Sequence, residues 1–507
     1  MLRLFGHKVA DHPFADLKKA REFLSGLIAA EPLTSLEDLT HWLQSVSGEN
    51  AFKPEHRAQA YLMIDETAQP HLRRALRDYL AATRLPKQQE LRIWNVVDAY
   101  LQEAAGALVE VAEWFATRNR LSDAQRAVLA LLTVRALRTL AARLKWMHLR
   151  YGPVERELWP LVTRVYAASE RARVSQQLVT VYSNVPGDSS MQHELLRLLM
   201  FSACSPGALL PVEMELADRL ISHFAPMFAA AGAPSDETPY WVNLGAASPP
   251  RRGPVPAGVT GPLGFFGAGP AYEALRTLAA EIRNSGAIPS ALNLGNVYET
   301  DVVLAVIDHL EAHWAPRLRE RRFARQAAKL RLTVAHDFDG VLDVLQLPPG
   351  VAPVDEAAES WIVENISAGG CGALVPSLRQ DWLHVGCLLG MHYEGGSHWS
   401  VGIVRRLSRP DAQRMNVGIQ VLSRAAQPVE LRIETAYGLS LDTEVGVLLP
   451  PTHHGDELRL LLRPGVYVPG QRFKVEVPVG GQMLEPVDVV ERGEDYELLR
   501  CREPEIF

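Results

Sequence analysis

The hydrophobic rhythm of the chain changes near Pro316. Upstream of it, apolar residues recur at the spacing of helix faces. From Glu90 to Arg118, Leu91, Trp94, Val97, Leu101, Ala105, Leu108, Val111 and Trp114 keep this helical spacing. Leu121-Ser122-Asp123 then offers capping residues, so a second long helix is expected through Arg150. A connection of a few residues makes two such helices antiparallel neighbours. The same periodicity predicts helices over Asp16–Ala29, Ser35–Val46, His71–Ala82, Glu155–Ala172, Glu194–Ser202 and Val212–Phe224. No clean self-similarity with a period of about 34 or 40 residues runs through them. The pattern lapses over Gly245–Pro270, which is dense in Gly and Pro, and resumes at Ala271–Ser285 and Glu299–Trp314. In the last helix Val303, Val306, Ile307, Leu310 and Trp314 make one apolar stripe, and Pro316 ends it.

Beyond Pro316 the period falls to two. Short β-rich runs follow at Lys329–Val334, Trp361–Ile366, Leu383–Tyr393, Trp399–Arg406 and Val417–Leu422, with Gly or Pro clusters between several of them. This is the signature of a small barrel or sandwich. Further strands are expected at Val429–Thr435, Glu444–Leu449, Leu458–Leu462 and Phe473–Val477. The fold class is therefore multidomain α+β, an all-α N-terminal region followed by an antiparallel β-barrel and a further β-rich C-terminal segment. The expected division is a helical region over 1–244, a Gly/Pro-rich loop over 245–270, helices leading to the barrel over 271–316, the barrel over 317–432 and the β-rich segment over 433–507.

Composition removes several function classes. Of 507 residues, 47% are apolar and 22% charged, an ordinary globular balance, and the net charge is -7. A mildly acidic balance argues against long-stretch, charge-driven DNA binding, which needs a basic face, but leaves room for a small basic pocket. Cys204, Cys371, Cys387 and Cys501 are scattered without a CxxC pair, so neither a disulfide framework nor a zinc site is expected. Arg135 and Arg138 interrupt the longest apolar run, Ala127–Ala141, before it reaches the roughly 18 residues of a membrane span. The start has no signal-peptide pattern. The expectation is a cytoplasmic protein with no membrane insertion.

Two features carry candidate chemistry. Pro316-Arg-Leu-Arg-Glu-Arg-Arg-Phe-Ala-Arg325 is a basic arm in which Arg321 and Arg325 stand as RxxxR, with Arg322 beside them. Asn365-Ile-Ser367-Ala-Gly369-Gly370 is an NxSxxG sequence ending a strand. Together, in this order, they resemble the two signatures of the bacterial PilZ domain, and Gly402-Ile403-Val404 and Val417-Gly418-Ile419 match its later strands. Asp337 to Glu359 departs from the family, being longer and richer in Pro than the usual link. The resemblance covers about a quarter of the chain. It implies a receptor for cyclic di-GMP, with Arg321 and Arg325 in the first motif, Arg322 as an extra contact, and Asn365, Ser367, Gly369 and Gly370 in the second.

These residue types suit that ligand. A guanidinium pairs bidentately with phosphate oxygens or with guanine O6 and N7, and stacks on a purine. Asn365 and Ser367 offer donors and acceptors, and the two glycines let backbone approach closely. The bland reading of each motif is a solvated basic segment and an Asx turn. In that case the barrel is an adaptor that binds no nucleotide. Four other signals read as ordinary structure. Gly264-Phe-Phe-Gly267-Ala-Gly269 lacks a preceding strand and a GK[ST], and reads as a packed loop. His453-His454-Gly-Asp456-Glu457 reads as a hairpin turn, and Asp337-Phe-Asp339-Gly340 as a tight turn. Arg405, Arg406, Arg409 and Arg414 read as a solvated hairpin, or else as a positive surface supporting the nucleotide. Trp94, Trp114, Trp146 and Trp159 are expected in the helical core. No nucleophile elbow, zinc-protease helix or kinase set is visible. The expected protein is a signalling effector and not an enzyme. It needs no cofactor, and its helical region meets a protein partner when the arm orders on the ligand.

Overall fold

The computed structural model describes residues 12–27, 29–81, 86–154, 157–295, 297–317, 323–348, 359–376, 382–411, 413–435, 438–451, 457–476 and 481–503. It divides into two units, Met1–Arg319 and Glu320–Phe507.

In the first unit the helices are α1 (Leu17–Leu27), α2 (Pro32–Gly48), α3 (Pro54–Ala81), α4 (Lys87–Ala116), α5 (Asp123–His148) and α6 (Leu158–Ala172). A hairpin of β1 (Val179–Tyr182) and β2 (Val185–Ser189) leads to α7 (Met191–Ala203) and α8 (Pro211–Phe224). Ser122 accepts from the backbone N–H of Gln125, whose side chain returns to the backbone of Ser122, so α5 starts on a full capping box. The indole of Trp146, near the end of α5, donates to the carbonyl of Trp94 near the start of α4, as antiparallel neighbours require. Trp146 and Trp159 are core, whereas Trp94 and Trp114 are half-buried under the guanidiniums of Arg150 and Arg118.

The cations that interrupt α5 do not face solvent. Arg135 donates to the carbonyls of Leu62 and Val181 and pairs with Asp65. Arg143 grips Asp98, and Lys145 lies 2.6 Å from both Glu215 and Asp218. Buried charge is tolerable only when paired and hydrogen-bonded in this way. No helix among the described residues is long and apolar enough to cross a membrane.

The Gly/Pro-rich stretch departs from the loop expected there. It contributes to a four-stranded antiparallel sheet of β3 (Ala229–Ala231), β4 (Tyr240–Asn243), β5 (Arg251–Arg252) and β6 (Leu263–Gly267), in the order β3-β6-β4-β5. The Gly264–Gly269 segment thus does contain a strand, followed by α9 (Pro270–Ser285). A Cβ on Gly267 would stand 2.2 Å from the carbonyl oxygen of Glu237, so this glycine serves close packing. Helix α10 (Thr300–Trp314) buries the predicted stripe, and Arg252 donates to the carbonyls of His313, Ala315 and Pro316 at its C-terminal end.

In the second unit β7 (Gln326–His336) is followed by α11 (Asp337–Gln346), then β8 (Glu359–Ser367), β9 (Gly370–Val375), β10 (Leu388–Tyr393), β11 (Ser400–Ser408) and β12 (Met415–Ser423). Asp337–Gly340 opens a helix, where a tight turn was expected. Its Phe338, Val341 and Leu342 pack into a core cluster, which outweighs the turn preference of Asp and Gly. The strands close a barrel in the order β10-β11-β12-β9-β8-β7. Along β8, Trp361 and Val363 point inward while Ile362 and Glu364 are exposed.

The C-terminal segment is a second closed barrel of β13 (Gln427–Thr435), β14 (Gly438–Leu449), β15 (Leu458–Leu462), β16 (Arg472–Glu476), β17 (Gly481–Arg492) and β18 (Glu497–Arg502). Its topology repeats the first. Each barrel is two three-stranded meanders, joined by pairing their first strands (β7 with β10, β13 with β16) and their third (β9 with β12, β15 with β18). One apolar cluster runs through both barrels, including Leu388, Val401, Ile403 and Leu422 of the first and Val447, Leu461, Tyr496 and Leu498 of the second. The four cysteines are free and buried.

Candidate functional site

The hairpin between β8 and β9 builds one wall of the site. Ser367 pairs with Gly370 in register, and its hydroxyl donates to the Gly370 carbonyl at 3.1 Å. A Cβ on Gly370 would stand 2.2 Å from the carbonyl oxygen of Ile419 on β12, so only glycine lets these strands meet. Gly369 lies under the ring of Phe323, at the end of the basic arm nearest the barrel. Asn365 faces Gly372 across the hairpin, beside a register shift in β8. Its side-chain oxygen is buried without a hydrogen-bond partner among the described residues. A buried acceptor left open in this way is a costly feature in an ordinary core.

Beside this wall lies an open depression of about 510 Å³. Arg325, Asn365, Ser367, Gly369 and Gly370 line it from one side. Arg405, Arg406, Ser408, Asn416, Gly418 and Gln420, on β11 and β12, line it from the other. Arg321 and Arg322 lie outside the described residues. A second depression of about 590 Å³ shares Ser367 and is bordered by Phe323, Gln326 and Arg424. Arg424 donates to the carbonyl of Ser367 at 3.3 Å.

The cations of the first depression are not equivalent. Arg405 uses all three of its nitrogens: it donates to the side-chain oxygen of Gln420 at 2.7 Å and to both carboxylate oxygens of Glu491 on β17. Burial opposes its charge, but Glu491 outweighs burial and holds its pKa above the ordinary value. Arg325 and Arg406 are exposed and have no ion pair or hydrogen bond among the described residues. Behind the turn, burial pushes the Cys371 thiol up, away from the thiolate form a nucleophile needs.

Sequence reasoning missed Gly372, Asn416 and Gln420, whose place depends on strand register. Arg405 and Arg406 belong to the cluster that the sequence reads as a solvated hairpin or else as a positive surface supporting the nucleotide; Arg414, in contrast, pairs with Asp411 in the hairpin. His453, His454 and Asp456 lie outside the described residues. Among the described residues no group of three His, Cys, Asp or Glu side chains is placed to hold a metal ion.

Fold and site together define a closed antiparallel barrel with a cation-rimmed, hydrogen-bonding pocket, carried in one chain with a helical domain. The helical domain supplies a separate indication. Residues 18–233 match the family described as the N-terminal domain of the cyclic-di-GMP receptor FimW. No curated protein sequence matches the chain. The family match and the barrel motifs fall on different residues, so neither depends on the other.

Proposed function

We propose that this chain is a cyclic di-GMP receptor of the PilZ type, acting in the cytoplasm, in which the first barrel binds the nucleotide and the helical region meets a protein partner. The observation that carries this reading is the convergence of Arg325 with Asn365, Ser367, Gly369 and Gly370 on one depression. Arg325 is 40 or more positions from the other four in sequence, and the ladder of β7, β8 and β9 brings them together. The similarity of residues 18–233 to a cyclic-di-GMP receptor domain supports the same ligand.

In this reading Arg325 pairs with phosphate or with the guanine O6/N7 edge. The open oxygen of Asn365 accepts from a guanine N–H, and Ser367 adds a hydroxyl that can turn from Gly370 to the ligand. The groups around the pocket bind and orient; the role is that of a receptor and not of an enzyme. Arg321 and Arg322 precede Arg325 on the arm joining α10 to β7. Closing that arm over the nucleotide changes the arrangement of helical region and barrel, by as much as the ligand prefers one arrangement over the other.

Small-angle scattering of the full chain with and without cyclic di-GMP tests the conversion. A change in the radius of gyration at saturating ligand is expected. Identical curves together with proven binding would reduce the reading to a receptor that signals without rearrangement.

A further inference from the structure

Strand β11 carries an irregularity exactly where it borders the pocket. Val404 pairs with Ile419 and Arg406 with Gly418, so Arg405 is an extra residue with no partner on β12. In a regular strand Arg405 and Arg406 would point to opposite faces. A bulge re-aims side chains, and here both arginines line the same depression. Gly418, opposite Arg406, presents no side chain to obstruct it.

The two arginines then divide by partner. Glu491 lies on β17, the strand that holds in the second barrel the place of β11 in the first. It too follows a bulge, between Val489 and Glu491. The carboxylate takes both terminal nitrogens of Arg405, and the buried Tyr496 donates to it at 2.9 Å. Gln420 takes the third nitrogen. Arg405 is thereby withdrawn from ligand duty, whereas Arg406 keeps all five N–H donors open among the described residues. The second barrel does not carry the two motifs in its sequence. Only Arg424, Ala425 and Ala426 separate β12 from β13, too few for a basic arm, and its one serine, Ser440, follows Gly438 and not Asn or Asp.

We propose that Arg406 is a phosphate-binding residue of the pocket that Arg325 also lines, and that the second barrel holds Arg405 out of ligand contact through Glu491. This rests on the receptor reading above. Two guanidiniums without an ion pair among the described residues line one depression, which suits a ligand with two phosphodiester charges.

Calorimetric titration of the full chain with cyclic di-GMP tests it, using wild type, Arg406→Ala and Arg414→Ala as a control in the same hairpin. Loss of a charge-assisted pair predicts about a 10- to 100-fold weaker Kd for Arg406→Ala at an unchanged melting temperature. Arg414→Ala should bind as wild type does. Between 50 and 300 mM salt, the affinity of Arg406→Ala should fall less steeply than that of wild type, because one screened phosphate contact is gone. Wild-type affinity in Arg406→Ala, or equal salt dependence in the two proteins, overturns the assignment while leaving the receptor reading intact. No binding by wild type sinks the receptor reading itself.

Discussion

Arg405 and Glu491 stand on different barrels, yet the guanidinium of one gives both terminal nitrogens to the carboxylate of the other, each at 2.6 Å. The pair is partly shielded, with side-chain exposures of 38% and 24%. It ties the rim of the proposed nucleotide pocket to a barrel whose sequence lacks the two motifs. Glu491→Gln keeps the shape and removes the charge. The expected cost is about 1–2 kcal/mol, discounted for solvent, which lowers the melting temperature of the second unit by about 2–8 °C. Arg405 is then released toward the pocket, so affinity for cyclic di-GMP should rise by roughly threefold or more. Calorimetry and thermal melts on the one variant read both effects. A stable variant with unchanged affinity would show that the clamp has no bearing on the site.

Gly372 gives a separate handle on Asn365. A Cβ there would stand 2.7 Å from the side-chain nitrogen of Asn365, the far end of a rotatable side chain. Gly372→Ala should therefore displace the amide at little cost to the barrel, about 1 kcal/mol or less. The expected outcome is about a tenfold loss of nucleotide affinity, measured by calorimetry, with a melting temperature close to wild type. Full affinity would remove Asn365 from the ligand contacts. Gly370→Ala should behave differently, because its Cβ would meet backbone, 2.2 Å from the Ile419 carbonyl, and would destabilise the barrel itself.

The helical unit has an acid-sensitive point. His309 lies 2.6 Å from the carbonyl oxygen of Cys204, and burial, helped by the neighbouring His313, pushes its pKa from 6.5 down to about 4. The unfolded chain therefore takes up a proton between those values that the folded chain refuses. The contribution to stability is complete above pH 6.5 and is lost as pH falls from 6.5 to about 4. At pH 5 the loss is about 2 kcal/mol, or about 4–8 °C in melting temperature. His309→Gln retains a donor for Cys204 and should lose correspondingly less between pH 7.5 and 5. Equal losses in both proteins would contradict this role.

Apolar stripes that repeat at 3.6 residues and local caps made most helices legible in the sequence, but only His71–Ala82 was expected of α3, which begins at Pro54. The sequence could not reveal the company of Arg135, Arg143 and Lys145, which sit in α5 with partners 41 to 73 positions away. The barrel strands that alternate cleanly, such as Trp361–Ile366, were readable. Gly370–Val375, Gly481–Arg492 and Glu497–Arg502 were not, because glycines, charges and bulges break their alternation. The two signature motifs were visible as local strings. Arg406 was not, since its place at the pocket depends on one extra residue in β11, which only the pairing with β12 makes apparent.

The receptor claim is tested most directly by titrating the full chain with cyclic di-GMP in a calorimeter, beside Ser367→Ala and Arg325→Ala. Saturable heat is predicted for wild type, with about a 10- to 100-fold loss of affinity in each variant at unchanged melting temperature. No heat with wild type, or wild-type affinity in both variants, would contradict the account and leave the barrel as an adaptor that binds no nucleotide.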